Sequence, residues 1–264
     1  MRPLAVVGNL SRDLVDGQAR PGGAPYSAAR ALRVLGRPAI VAVKGADADR
    51  RFLLPPLARL GVPVLWRGGK STAAFSFRYD GDRREMVVEE LGPAWTPEDL
   101  RGLERAAWVH VGALARSDFP AGTLAALARE RTVAFDGQGL VRPDRTGPLE
   151  LDAVYDPEVL RHVSVLTLAE DEAQALVGEP DTDALRSLGV PEVVVTLGSR
   201  GSLVLAEGRL ERVPARAVGG RVDPTGAGDA FSAAYLVSRA AGYAPVAAAR
   251  RATALVAGLL GRRL

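Results

Sequence analysis

The chain has 264 residues, 47% of them apolar and 25% charged, enough for one large α/β domain with an ordinary core; no apolar run is long enough to cross a bilayer. It contains no cysteine, which excludes disulfides, thiolate nucleophiles and Cys-based metal sites and makes the cytoplasm the default location. The net charge is +3, and the basic residues, nearly all Arg, are dispersed without interleaved aromatics, so neither a nucleic-acid nor a membrane partner is expected.

Strand-like and helix-like segments alternate almost throughout, which predicts a mostly parallel sheet with helices on both faces. Residues 4–7 form a buried-strand run ending at Gly8-Asn9, too short for the core of a signal peptide. Ala28, Ala31, Leu32 and Leu35 mark a helix stopped by Gly36 and Pro38, and residues 39–43 read as a second strand. The Pro55-Pro56 pair would break a long helix, so a short one is expected from about Pro55 to Gly61. Between 72 and 89 the pattern changes. Phe75, Phe77 and Tyr79 alternate with Ser76 and Arg78, Asp80-Gly81 is a turn signal, and Met86-Val87-Val88 follows. This is a β-hairpin with one apolar face, either a flap in a small second layer or an antiparallel edge of the main sheet.

Thr96-Pro97 then opens a helix, 108–111 is a strand, 119–129 a helix, and 132–135 a strand ending at Asp136. A strand at 163–168 leads to a helix at 170–176 closed by Gly178. The strand at 192–196 turns through Leu197-Gly198-Ser199-Arg200-Gly201 into 202–205, and Glu207-Gly208 turns that strand back into 210–213. No repeat or linker interrupts the chain, so residues 1–264 are read as a single domain with a lid-like hairpin at about 72–89.

The stretch with most chemical content is Asp-Pro-Thr-Gly-Ala-Gly-Asp-Ala-Phe at 223–231. Phe231, Ala234, Tyr235 and Ser238 follow at helical spacing, so the string is a loop that opens a helix. Its glycines allow successive N–H groups to converge, and the first turn of the helix adds unpaired donors at the positive end of the dipole. Such a place suits a phosphate. A carboxylate there, Asp229, either caps the helix or takes a proton from a hydroxyl that attacks phosphorus. Other glycine-rich and polar clusters fall at strand ends, where open α/β sheets bind ligands: Gly8-Asn9 with Asp13, Asp136-Gly137-Gln138-Gly139, and 196–201.

On these residues the sequence resembles the ribokinase-like, or PfkB-type, carbohydrate kinases, with a weaker similarity to inositol-kinase-like members. The 223–231 string matches the C-terminal signature of that family. Thr-Leu-Gly-Ser-Arg-Gly at 196–201 resembles its nucleotide-side turn, Gly22-Gly23 and the following helix its sugar-side signature, and Ala169-Glu170-Asp171-Glu172 its Asn-x-x-Glu segment. The resemblance implies a three-layer α/β sandwich with a small or reduced β lid, and phosphoryl transfer from ATP to a small sugar or polyol. Asp229 would be the base, with the backbone of Gly226, Ala227 and Gly228 as the anion hole. Thr196, Gly198, Gly201 and Thr225 would face the nucleotide. Asp13, Gly22, Gly23, Ser27, Gln138 and Arg142 would face the acceptor. Glu172 would hold Mg²⁺ through waters, and Asp223 would shape a monovalent-cation site.

Several positions depart from the family pattern. Ser27 replaces an Asn, Ala169 replaces the Asn of Asn-x-x-Glu, and the short run from Asp13 to Gly22 implies that half of the lid is missing. The chain ends soon after a helix at 247–260, which implies a shortened loop beside the adenine and the cation. A ribose or nucleoside kinase is the alternative within the enzyme class. A non-catalytic ligand-binding protein on a kinase fold is the alternative outside it. The assembly is expected to be a monomer or a homodimer, with Phe75, Phe77 and Tyr79 either pairing across a dimer or packing within the chain. His110, His162 and the tryptophans are expected to be structural.

Overall fold

The computed structural model describes residues 4–15, 17–80, 83–218 and 226–261. Along the chain, β1 (Leu4–Asn9) is followed by β2 (Ser11–Val15), β3 (Gln18–Gly22), α1 (Ala24–Val34) and β4 (Ala39–Ala46). Next come α2 (Arg50–Ala58), β5 (Val64–Gly69), β6 (Ala73–Asp80) and β7 (Arg83–Glu90). Then β8 (Trp108–Gly112), α3 (Ala121–Ala128), β9 (Thr132–Asp136), α4 (Gln138–Val141) and β10 (Gly147–Pro148) lead to β11 (Val165–Ala169) and α5 (Glu170–Val177). The described chain closes with α6 (Thr182–Arg186), β12 (Glu192–Thr196), β13 (Ser202–Ala206), β14 (Arg209–Val213), α7 (Ala227–Ala240) and α8 (Pro245–Gly261).

The main sheet has nine strands in the order β14-β13-β12-β11-β9-β8-β1-β4-β5. From β5 to β12 every pairing is parallel, and β13 and β14 add an antiparallel edge. Strands apolar on both faces need cover on both faces, and the crossover helices supply it. Side chains alternate accordingly. Ala5 and Val7 join a core with Trp95, Val109, Leu124 and Phe135, whereas Leu4 and Val6 join another with Ala28, Leu32, Phe231 and Tyr235. The chain leaves β1 toward β4 and β5, then crosses back to β8, so the strand order reverses beside β1. That topology opens a crevice at the carboxyl ends of the strands.

A second sheet of five strands, β10-β7-β6-β2-β3, accompanies the first. The hairpin therefore belongs to a separate layer and not to an edge of the main sheet. Phe75 and Phe77 pack within the chain, on Ala73, Val88, Leu114 and Met86. The expected loss of half of this layer is corrected: the short run after Asn9 forms the hairpin β2–β3, with Asp13 opposite Arg20, and β2 pairs parallel with β6. Gly17, just before β3, takes a φ of 74°, which glycine adopts without strain.

Two helices also differ from expectation. α2 starts at Arg50 and carries Pro55 and Pro56 inside it. A 3₁₀ turn at Asp47–Asp49 leads into it, and Leu53 and Leu57 anchor one face in the core. The prolines deprive Arg51 and Phe52 of helical donors, but both residues are exposed, where water can serve instead. After Thr96 there is only a 3₁₀ turn, Pro97–Leu100. Its residue Asp99 is drawn to the Lys44 ammonium at 2.6 Å, which also occupies one of the chain's two lysines away from any ligand. Among the described residues, no helix is long and apolar enough to cross a membrane.

Candidate functional site

Three parallel strands end at one place: Asp136 ends β9, Ala169 ends β11, just before Glu170 to Glu172, and Thr196 ends β12. The head of α7 closes over them. The result is a crevice of about 150 Å³ lined by Asp136, Gln138, Thr167, Glu172, Thr196, Gly226, Gly228, Asp229 and Ser232, among others. A larger groove of about 530 Å³ adjoins it. Thr196, Gly198, Ser199 and Gly201 form one wall, residues 215–218 another, and Ala227, Phe231, Thr253, Val256, Ala257 and Leu260 of α7 and α8 the rest. Thr196 and Gly228 border both spaces. The crevice is polar. The groove is largely apolar.

The start of α7 follows from its sequence. Gly226 caps the helix in the left-handed conformation, with φ 74° and ψ 8°, where a Cβ is disfavoured. A Cβ at this position would also lie 2.1 Å from Oγ of Ser27. The first helical bond runs from the N–H of Ala230 to the carbonyl of Gly226 at 3.1 Å. The N–H groups of Ala227, Gly228 and Asp229 precede it and have no acceptor within the helix. The helix is then fixed from behind. Phe231 and Tyr235 stack at 6.1 Å, and Arg239 meets the buried Glu192 carboxylate at 2.9 Å.

Carboxylates gather at this head. Burial pushes Asp229 up to about 6, against the pull of Arg142 and a hydrogen bond from Ser27. Burial likewise pushes Glu172 up to about 7, with Asp171 and Asp229 adding to the rise. Asp136 is raised well above the usual carboxylate range by burial first, then by Glu172 and Asp229. Arg142, immediately after α4, is the cation that opposes all three shifts, and its Nε is buried without a hydrogen-bond partner. Glu172 sits in the first turn of α5 and accepts the N–H of Ala169 at 2.8 Å. Ala169 carries only a methyl group and cannot complete the reciprocal half of a capping box. One carboxylate oxygen of Glu172 thus remains for other partners.

The sequence-derived residues divide by place. Asp229, Gly226, Gly228, Glu172, Gln138 and Thr196 converge on the crevice, while Ala227, Gly198 and Gly201 line the groove. Ser27 lies against Gly226 and Asp229. Asp13 lies apart on β2: its carboxylate accepts the Ser11 hydroxyl at 2.7 Å, and a Cβ on Gly22 would meet it at 2.1 Å. Gly23 caps α1 with a φ of 107°. Asp223 and Thr225 lie outside the described residues. The cluster after the end of β9 runs into the short helix α4, which carries Gln138.

Sequence reasoning missed Asp136 as a site residue, along with Thr167 and Ser232, whose hydroxyls meet at 3.2 Å on the crevice floor. Asp136 carried a signal, its place at a strand end. Thr167 and Ser232 sit inside apolar runs and carried none. Asn9 proves structural, its amide holding the Trp95 indole at 2.9 Å and the Pro93 carbonyl at 3.1 Å. His110 is fully buried and neutral, burial lowering it to about 4.

The family model described as pfkB family carbohydrate kinase matches residues 6–261. A fructokinase of Klebsiella pneumoniae is 29% identical over 262 residues, covering 89% of this chain and 84% of the relative. Among solved structures, a pyrophosphate-dependent kinase in the ribokinase family, complexed with a pyrophosphate analog and myo-inositol, superposes with a TM-score of 0.84 at 25% identity. That match covers 97% of this chain and 94% of the other. Ribokinase of Arabidopsis thaliana, complexed with ribose and ATP, shares the fold at a TM-score of 0.75 and 22% identity, over 98% and 92% of the two chains. The chain belongs to the pfkB family of carbohydrate kinases, with a ribokinase-like fold and phosphoryl transfer to a sugar or polyol hydroxyl as its reaction.

Proposed function

We propose that the chain transfers the γ-phosphoryl group of ATP to a hydroxyl of a small sugar or ring polyol, with Asp229 as the base. One observation carries this reading: Asp229 lines the polar crevice beside Gly228, which borders both that crevice and the apolar groove, and beside the unpaired N–H groups that open α7. The groove offers Phe231, Val256, Ala257 and Leu260 to a nucleobase, with Gly198 and Gly201 leaving room along its rim. Pyrophosphate, the donor named for one structural relative, has no apolar part to occupy such walls.

In this reading the phosphates pass from the groove to the head of α7. The N–H groups of Gly226, Ala227 and Gly228 hold the charge that builds on the transferred group. The carboxylate of Asp229 accepts the acceptor's proton as its oxygen attacks phosphorus. Gln138 and Arg142 meet acceptor or phosphate oxygens from one side, and Asp13 with Gly22 and Gly23 from the small sheet, which serves as the lid. A carboxylate suits vicinal hydroxyls because it accepts two hydrogen bonds at once. Among the described residues no group of acidic or His side chains is arranged to hold a metal by itself. Mg²⁺ would therefore be held by Glu172 through waters together with the donor's phosphates, neutralising their charge. A monovalent cation near Asp223 remains part of the proposal. A cytoplasmic location belongs to this reading, supported by an ATP donor and the cysteine-free composition.

The test is a coupled ADP-release screen across pentoses, hexoses, inositols and nucleosides, with a parallel arm that replaces ATP by pyrophosphate and reads phosphate. ADP release that depends on one acceptor class and disappears in Asp229→Asn is the expected result. Turnover with pyrophosphate alone would overturn the donor assignment. Absence of nucleotide binding by calorimetry would favour a non-catalytic ligand-binding protein.

A further inference from the structure

Ser27 occupies an unexpected position for a residue on the acceptor-side helix. It lies in the first turn of α1, four residues after Gly23, and α1 packs against α7 in a shared core through Ala28, Ala31, Leu32, Ala230 and Ala234. Its Oγ and Cβ fill the space directly against Gly226, where a Cβ would come within 2.1 and 3.0 Å of them. Oδ2 of Asp229 lies 4.0 Å from that same point, so the Ser27 hydroxyl and the Asp229 carboxylate both border the Gly226 turn, and the hydroxyl pulls the carboxyl down against the rise from burial. A serine hydroxyl has one proton to donate, and a neighbouring buried carboxylate is a strong acceptor for it.

We propose that Ser27 is a positioning residue: its hydroxyl fixes the rotamer of Asp229 while its Cβ and Oγ set the height of the Gly226 turn, so that the helix behind the acceptor-side glycines holds the base on the donor-side helix. This rests on the reading of Asp229 as base. A longer side chain at position 27 would collide with the Gly226 turn as it stands, which matches a serine here with a left-handed glycine there. The coupling runs one way in space, from α1 to α7, and needs no contact between Ser27 and either substrate.

The experiment compares the parent with Ser27→Ala and Ser27→Thr, in steady-state kinetics and in carboxyl ¹³C NMR of aspartate-labelled protein. The Asp229 resonance is identified as the one lost in Asp229→Asn. Ser27→Ala is expected to lower kcat about tenfold while acceptor and donor KM stay within about twofold, and Ser27→Thr to restore most of it. The Asp229 resonance should move in the Ala variant and return in the Thr variant. An unmoved resonance overturns the proposal whether or not phosphorylation occurs. A kcat unchanged within twofold, or an acceptor KM that rises tenfold at constant kcat, overturns it as well, the latter by making Ser27 an acceptor ligand. If the wild-type chain transfers no phosphoryl group, the function proposed above fails, while the resonance still decides what Ser27 does.

Discussion

At the scale of single residues, the head of α7 concentrates opposing demands on Asp229. As the proposed base, Asp229 must be ionised to act, yet burial raises it from 3.8 to about 6 and Glu172 from 4.5 to about 7, with the Arg142 charge opposing both. The two carboxyl groups interact, so the acid limb of kcat should show apparent midpoints belonging to the cluster, between about 6 and 7. A profile flat down to pH 5 would remove Asp229 from the base role. The same shift acts on stability with a definite sign. Between pH 4 and 6 the folded state keeps a proton on Asp229 that the unfolded chain has released, so stability falls as pH rises through that window. Above it the cost of the buried charge is fully present. Asp229→Asn removes that cost, and it should raise stability at pH 7 by on the order of 2 kcal/mol while lowering kcat about 10³-fold. Thermal melts at pH 4 and pH 7 check the sign: the gain should shrink toward pH 4.

At the scale of elements, the turn into α7 depends on Gly226 for two reasons, its φ of 74° and the Ser27 side chain against it. Gly226→Ala should therefore cost about 1–3 kcal/mol in chemical denaturation and displace the N–H groups of the first turn, with activity lost out of proportion to stability. An activity that fell only with the folded fraction would show that the turn's geometry is not used. The sequence carried this element well, because glycine spacing and the apolar positions Phe231, Ala234 and Tyr235 point to one loop and one helix. It carried the β2–β3 hairpin poorly. Asp16-Gly17 is a two-residue turn signal, but Arg12, Asp13, Arg20 and Pro21 blur the alternation that would mark strands, and among the described residues of the segment only Ser11 is buried. Its pairing with β6 supplies what local sequence lacks. The prolines of α2 misled for a related reason: the propensity of two residues was outweighed by Leu53 and Leu57 in the core.

At the scale of the whole molecule, the site is assembled from distant parts, and that distance decides what the sequence alone could reveal. The residues proposed to face the phosphates sit in short glycine-rich strings, so Thr196, Gly198, Gly201 and Gly226 to Asp229 are visible in the sequence before any fold. The apolar groove is different. Thr253, Val256, Ala257 and Leu260 recur at helical spacing on α8, yet so do Ala248, Ala249 and Ala252, and only packing decides that the second set enters the core while the first borders the groove. Donor choice follows from that division. Ala257→Trp would fill the groove with an indole while leaving the crevice, Asp229 and the small sheet untouched. The KM for ATP should rise at least about tenfold, a loss of roughly 1.4 kcal/mol of binding, with the acceptor KM nearly constant. Calorimetry with ATP should show the same loss with no acceptor present, which separates a blocked groove from a disturbed base. Unchanged ATP affinity in this variant would mean that the apolar groove does not receive the nucleobase, and the donor would then be recognised through its phosphates at the head of α7.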